Sequence, residues 1–269
     1  MMQDLTSLLI LTKELKQNNY KQYITSLFAH PKTRDAIITI LLFENEISQI
    51  AFKAPGDLAR SIRYKWWENA LDELSSGMPA KSPLLERINL LQIDPVKLKI
   101  TIRLFEEIAS RGLCETQGDI KQIFLQNTCP LELICKLSGD SILQTELATI
   151  YRISFITQSL LDYFSLIDSS YLKPFSLELI EQFSYNPDLI RDKANNDKLK
   201  SLVKMLCINL LNELNEIDLG LRNKSKLLKA YIYSVRHCLD LLKKQNYDLR
   251  IKQRYNKFIF LLRIFASSF

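Results

Sequence analysis

Glu44, Glu46 and Asp162 are the carboxylates to examine first for chemistry. Hard cations such as Mg²⁺ take carboxylate ligands and need several of their oxygens at octahedral spacing. Two carboxylates three or four residues apart on each of two helices meet that need. Glu44 and Glu46 are close in sequence, but Glu46 reads as a helix-surface or helix-pairing carboxylate. His30 and His237 are isolated, which disfavours a histidine metal site. Five cysteines (Cys114, Cys129, Cys135, Cys207 and Cys238) form no CxxC pair. They read as buried thiols in a reducing compartment, not as a disulfide or zinc framework. GxGxxG, P-loop and HExxH patterns are absent, and Gly139 is too isolated to belong to a phosphate loop.

The stretch most able to position a site is residues 34–74, and within it Arg60-Ser-Ile-Arg-Tyr-Lys-Trp-Trp-Glu-Asn-Ala-Leu-Asp-Glu-Leu74. At 3.6 residues per turn, Ile62, Trp66, Trp67, Ala70, Leu71 and Leu74 form one wide apolar stripe. Arg63, Lys65, Glu68 and Asp72 fall mostly off it. Both tryptophans of the chain stand side by side in that stripe, which predicts a core helix where several helices converge.

Ser26-Leu-Phe-Ala29, Pro31, Arg34-Asp-Ala36, Phe43 and Glu46-Ile47 precede Ile62-Arg-Tyr-Lys-Trp-Trp67. This order resembles the start of the squalene/phytoene synthase family, and most closely the branch related to the phytoene-synthase-like assembly factor of respiratory complex I. Leu239-Asp-Leu-Leu-Lys-Lys-Gln-Asn-Tyr-Asp248 is similar to a basic stretch of the same branch that ends in Gly-Tyr-Asp. The resemblance runs from about residue 20 to the C-terminus. It is strongest over 26–74 and 229–265 and weak between 80 and 140.

The resemblance implies an isoprenoid-synthase-type helical bundle, with Mg²⁺ and diphosphate held in the active members between two aspartate-rich helices. The first acidic positions should fall on or near Ser48, Gln49 and Phe52, and none of these is acidic. Ile156-Thr-Gln-Ser-Leu-Leu-Asp162 lines up with a family pattern of Leu-Thr-Asn, three residues, then Asp. Asp162 takes the first carboxylate position, but its partner is Leu166 and the preceding arginine is Leu161. The Arg-Gly-Arg before a Leu-Pro becomes Ser169-Ser-Tyr-Leu-Lys-Pro174. Asp162 is therefore a relic ligand at most, and otherwise a solvated or capping residue. Phe43, Glu46, Trp66, Trp67, Thr157 and Gln158 are the implied cavity residues, with Glu46 and Asp162 the weak metal candidates.

The 269 residues are 47% hydrophobic and 25% charged, with six glycines and eight prolines; the mean hydropathy is −0.05. This composition fits a helical globular chain and disfavours a turn-rich β architecture. The net charge of +6 is uneven: residues 222–269 carry twelve Lys/Arg against two Asp, leaving 24 basic and 28 acidic residues elsewhere. Such a basic end can meet anionic lipid or an acidic partner. Lys243, Lys244, Arg250, Lys252, Arg254, Lys257 and Arg263 are its expected contact residues. Residues 252–265 are too short to span a bilayer but suit an interface. The start, Met1-Met-Gln-Asp-Leu-Thr-Ser7, has neither a basic n-region nor an Arg-rich amphipathic pattern. A cytoplasmic protein of an AT-rich bacterium, peripheral on the inner face of the membrane, is expected.

Helical spacing predicts helices over 3–17, 20–29, 32–52, the tryptophan stretch (with Asp57 as N-cap), 83–91, 95–111, 117–137 and 141–166. A looser segment follows over 167–198, then helices over 198–219, 224–245 and 253–266. The expectation is an all-α single domain over 1–269, its basic helical region at 222–269. The leading functional expectation is a non-catalytic assembly or chaperone-like factor for a membrane respiratory complex, complex I by resemblance. It would need no cofactor, and its partners would be a complex subunit or assembly intermediate and an anionic membrane surface, not nucleic acid. The alternatives are a Mg²⁺-dependent prenyltransferase joining isoprenoid diphosphates head to head, and an apolar-lipid binding protein.

Overall fold

Residues 12–17 are helical, and Asn19 starts the next helix. Its side chain accepts from the Gln22 backbone N–H, capping α1, Tyr20–Ser26. The computed structural model describes residues 10, 12–17, 19–54, 56–127, 129–166, 173–189, 192–218, 224–251, 260, 261 and 264. Among these residues there is no strand. The helices after α1 are α2 (Pro31–Lys53), α3 (Gly56–Ser75), α4 (Pro83–Leu90), α5 (Pro95–Arg111), α6 (Gln117–Gln126) and α7 (Cys129–Ser138). They continue as α8 (Gln144–Leu161), α9 (Tyr163–Leu166), α10 (Leu177–Gln182), a 3₁₀ turn at Pro187–Leu189, α11 (Lys193–Asp218) and α12 (Lys226–Lys244). The all-α expectation holds. No helix among the described residues is long and apolar enough to cross a membrane.

The chain gathers into two compact units. The first holds residues 1–107, 127–142 and 225–228, and α2 is its axis. Prolines at the first positions of α2 and α4, and a Ser82 side chain accepting from Leu85 N–H, start these helices cleanly. Ile37, Ile40, Leu41, Phe43 and Ile47 bury one side of α2, which packs against α1, α3, α4 and α7. Gly139 stops α7 at φ +74°, and Asp140 N–H returns to the Cys135 carbonyl at 2.9 Å. The left-handed residue there closes the helix end as only glycine does without strain.

The second unit holds residues 108–126, 143–224 and 229–269. In it α8 packs against α6 and α11, with Ile153, Ile156 and Leu160 buried on α8 and Leu202, Val203, Leu206, Leu210 and Leu214 on α11. Phe124 of α6 meets the rings of Tyr151 and Phe155 at 6.0 and 5.1 Å. The buried Tyr163 and Tyr185 hydroxyls are 3.0 Å apart, each serving as the other's partner. Asn195, in the first turn of α11, is 4% exposed. Its Oδ1 accepts from Asn186 N–H at 2.9 Å, and its Nδ2 donates to the Asn186 and Leu189 carbonyls at 2.7 and 3.0 Å.

Four expectations are corrected. Asp57 is not the N-cap of α3; it lies inside the first turn and pairs with Arg60. Residues 117–137 form two helices, because Pro130 fits only a helix's opening turn and sits there in α7. Residues 141–166 likewise divide at Asp162, which caps α8. Helix α11 begins at Lys193, not 198, since the Asp192 carboxylate accepts from Asn195 N–H and starts it earlier. Residues 3–9 and most of 253–266 lie outside the described residues.

Candidate functional site

The tryptophan helix buries the C-terminal half of the stripe that its sequence suggests, but not Ile62 and Trp66. Tyr64, Ala70, Leu71 and Leu74 face the core, while Ile62 and Trp66 are 60% and 43% exposed. Tyr64 goes inside because its hydroxyl finds a buried acceptor, the Phe105 carbonyl, at 3.2 Å. That rotates α3 about its axis and leaves the indoles at the edge of the core. Trp67 is half-buried. Its ring stands edge-on to the buried Phe43 ring of α2 at 5.4 Å, and Trp66 stands edge-on to Trp67 at 5.0 Å. Three aromatic rings thus run from core to surface in T-shaped contact, the arrangement their quadrupoles favour.

Beside this column lies a cavity of about 150 Å³ lined by Glu46, Gln49, Ile50, Lys53, Arg63, Trp66 and Trp67. The four lining residues of α2 fall at i, i+3, i+4 and i+7, one face of the helix. Glu46 and Gln49 both stand on this wall. Ser48 lies off it, its hydroxyl donating to the Asn45 carbonyl at 2.9 Å. Ile50, Lys53 and Arg63 were missed as lining residues. The signal was present in the 46/49/50/53 spacing, once Glu46 is taken as the reference instead of the aspartate positions of the family.

The charges in the cavity are one carboxylate and two cations. Partial burial raises the Glu46 carboxyl above its ordinary value, and Glu14 raises it further, while Lys53 pulls it back. This donor set does not fit a divalent metal cluster. One reluctant carboxylate beside a lysine and an arginine offers too few anionic oxygens and repels the ion. Among the described residues no group of three or more His, Cys, Asp or Glu is placed to hold a metal ion.

The structure brings Phe43, Glu46, Trp66 and Trp67 together in the first unit. Thr157, Gln158 and Asp162 belong to the second. Thr157 is buried and spends its hydroxyl on the Ile153 carbonyl at 2.7 Å. Asp162 is exposed, its backbone N–H donating to the Gln158 carbonyl and its carboxylate accepting from Gln158 Nε2 at 2.5 Å. The Asp162 backbone thus closes α8, and its carboxylate is engaged by the Gln158 side chain one turn earlier. The Leu166 side chain lies outside the described residues, as do Ser169 to Leu172.

At the basic end Lys243 and Lys244 are exposed in the last turn of α12, where cations favour the helix dipole. Asn246 and Tyr247 then take left-handed φ of +51° and +59°. The following Asp248 accepts from Lys200 at 3.1 Å and from Arg250 Nε at 3.2 Å. Arg250 is thus engaged, and Lys252, Arg254, Lys257 and Arg263 lie outside the described residues. Burial alone would raise the Asp248 carboxyl, but hydrogen bonds from Arg250 and Lys200 outweigh it and hold it at about 2, below its ordinary 3.8. A depressed carboxyl stabilises the fold above its unfolded value and loses that contribution as pH falls towards its folded one. Asp248→Asn should therefore cost about 2 kcal/mol at pH 7. Urea midpoints of variant and parent should converge as the pH is lowered through the window from 3.8 to about 2. Cys114, Cys135, Cys207 and Cys238 are buried free thiols, and burial pushes Cys207 up to about 12.

No family model and no curated protein matches the sequence. Solved structures do match. One is a dehydrosqualene synthase in complex with a ligand, with a TM-score of 0.78 and 13% identity, covering 98% of this chain and 97% of that one. Another is squalene synthase HpnC from Alicyclobacillus acidocaldarius, with a TM-score of 0.73 and 13% identity, covering 92% of this chain and 97% of that one. At such identity the likeness speaks of backbone alone. The chain has the all-α isoprenoid-synthase fold of these squalene and dehydrosqualene synthases.

Proposed function

We propose that this chain is a squalene/phytoene-synthase-family protein that works by binding and not by joining isoprenoid diphosphates. Its role is that of an assembly or chaperone-like factor for a membrane respiratory complex, complex I by the sequence resemblance. The observation that carries the non-catalytic half is the charge inventory of the tryptophan cavity, where Glu46 stands alone against Lys53 and Arg63. Asp162, the other candidate carboxylate, is exposed and committed to its own helix end. Stabilising a departing diphosphate takes several metal-bridged oxygens, and these residues supply too few.

The test is calorimetry with farnesyl diphosphate, with and without Mg²⁺, alongside a pyrophosphate-release assay. The expected result is no release, and no tightening of binding when Mg²⁺ is added. Mg²⁺-dependent release would overturn the reading in favour of a prenyltransferase. For the partner, tagged chain should capture complex I subunits or assembly intermediates from solubilised membranes, and capture of none of them would remove that half.

A further inference from the structure

The exposed side of α3 carries more apolar surface than a solvated helix face needs. Leu58, Ile62 and Trp66 recur at i, i+4 and i+8 and are 76%, 60% and 43% exposed. They form one straight stripe over two turns, opposite the buried Tyr64, Leu71 and Leu74. Lys65 borders the stripe on one flank. Arg63 borders it on the other, where the stripe meets the cavity that Lys53 also lines.

The charges around this stripe are sorted. Asp57, Glu68 and Asp72 project from the flank beyond Lys65, and each is paired, with Arg60, Lys65 and Lys99 respectively. Glu73, near the end of the helix, pairs with Lys81. Arg63 and Lys53 form no close ion pair with a described residue, so the stripe opens beside two cations not held in a salt bridge. Glu46 lines the same cavity and interacts with Lys53, and Glu14 lies near enough to act on Glu46.

We propose that this face of α3 docks on an anionic lipid surface. Leu58, Ile62 and Trp66 enter the headgroup–acyl boundary, and Arg63 and Lys53 meet lipid phosphates. Three observations select this occupant. An indole that is half apolar contact and half exposed suits the interfacial layer. A second copy of the chain is disfavoured, because a two-fold contact would set Arg63 and Lys53 of one copy against those of the other. A stable protein partner normally covers about 800 Å² per side, whereas three side chains over two helical turns suit shallow insertion. The proposal deepens the peripheral membrane placement that comes with the function proposed above, and it assigns that contact to α3 instead of the basic end.

The experiment uses the full chain with phosphatidylcholine vesicles, with and without phosphatidylglycerol. Trp66 and Trp67 are the only tryptophans of the protein, so their emission reports directly on this face. Anionic vesicles should shift it to the blue and carry the protein down on sedimentation, and zwitterionic vesicles should do neither. The double variant Leu58→Ser/Ile62→Ser, at two exposed positions, should keep the parent's thermal melt and lose vesicle binding by at least about tenfold. Lys243→Glu/Lys244→Glu should bind as the parent does. Binding retained by the α3 variant but lost by the basic-end variant would overturn the proposal while leaving the peripheral placement standing. No binding by the parent would remove both, and equal binding to zwitterionic vesicles would overturn the part given to Arg63 and Lys53.

Discussion

Glu213→Ala should destabilise the protein by about 3–5 kcal/mol, the cost of leaving a buried cation without its counter-ion. Arg152 is 3% exposed in the middle of α8 and pairs with Glu213 of α11, while Lys121 of α6 reaches the same carboxylate at 3.5 Å. One carboxylate therefore joins three helices of the second unit. Burial pushes the Arg152 guanidinium below its ordinary value and Glu213 pushes it back. Arginine does not shed its proton to escape, so removing Glu213 exposes the whole desolvation cost. Lys121, with its partner gone, is half in water and loses little. The control is Arg152→Met, which removes the charge along with the need for a partner and should cost far less than Glu213→Ala. Urea denaturation of the three chains decides between them. A loss under about 1 kcal/mol for Glu213→Ala would mean that Arg152 is satisfied by some other group.

Phe43→Ala should cost a similar amount, about 3–5 kcal/mol, by a different route. The Phe43 ring is fully buried on α2 and forms the floor of the aromatic column, with Trp67 standing edge-on to it. Truncation leaves a void directly beneath a half-buried indole and adjoining an existing cavity, so water can enter where collapse would otherwise limit the damage. The signature should be optical as well as energetic. Trp67 loses its apolar floor, and tryptophan emission should move to the red while the chain is still folded. Phe43→Leu keeps most of the volume and should cost under about 1.5 kcal/mol, with little spectral change. A Phe43→Ala chain with the parent's midpoint and emission would contradict the column as described.

The sequence carried the helices well wherever punctuation was chemical. Asn19, Pro83, Pro95 and Gly112 all stand at helix ends in the structure, because caps and breakers act locally. Boundaries were lost where the deciding residue has two readings. Pro130 interrupts a continuous apolar pattern, yet it is also a good first-turn residue, and periodicity does not distinguish a kinked helix from two short ones. Asp162 reads equally as a ligand or a cap, and in the structure it ends α8 and accepts from Gln158.

The site was half legible for a similar reason. Phe43, Glu46, Trp66 and Trp67 were picked out together and do lie together, but the burial assigned to the tryptophans was wrong. Hydrophobic weighting ranks two indoles and an isoleucine above a tyrosine. The fold ranks them by whether each polar tip has a partner, and the Phe105 carbonyl, 41 residues away in sequence, decides for Tyr64. No local pattern carries that information. Lys53 and Arg63 escaped notice because charged residues on helices are ordinarily solvated, and only the cavity shows what they share.

The Asn195 side chain has a consequence for how the second unit breathes. Residues 183–189 contain little helix, and an amide there would ordinarily trade its proton with solvent quickly. Asn195 instead closes three backbone groups of that stretch from a position inside α11. Opening Asn186 breaks its hydrogen bonds to the buried Asn195 side chain, which is anchored in the first turn of α11. The loop's opening free energy is therefore borrowed from the helix, and the two exchange as one cooperative unit.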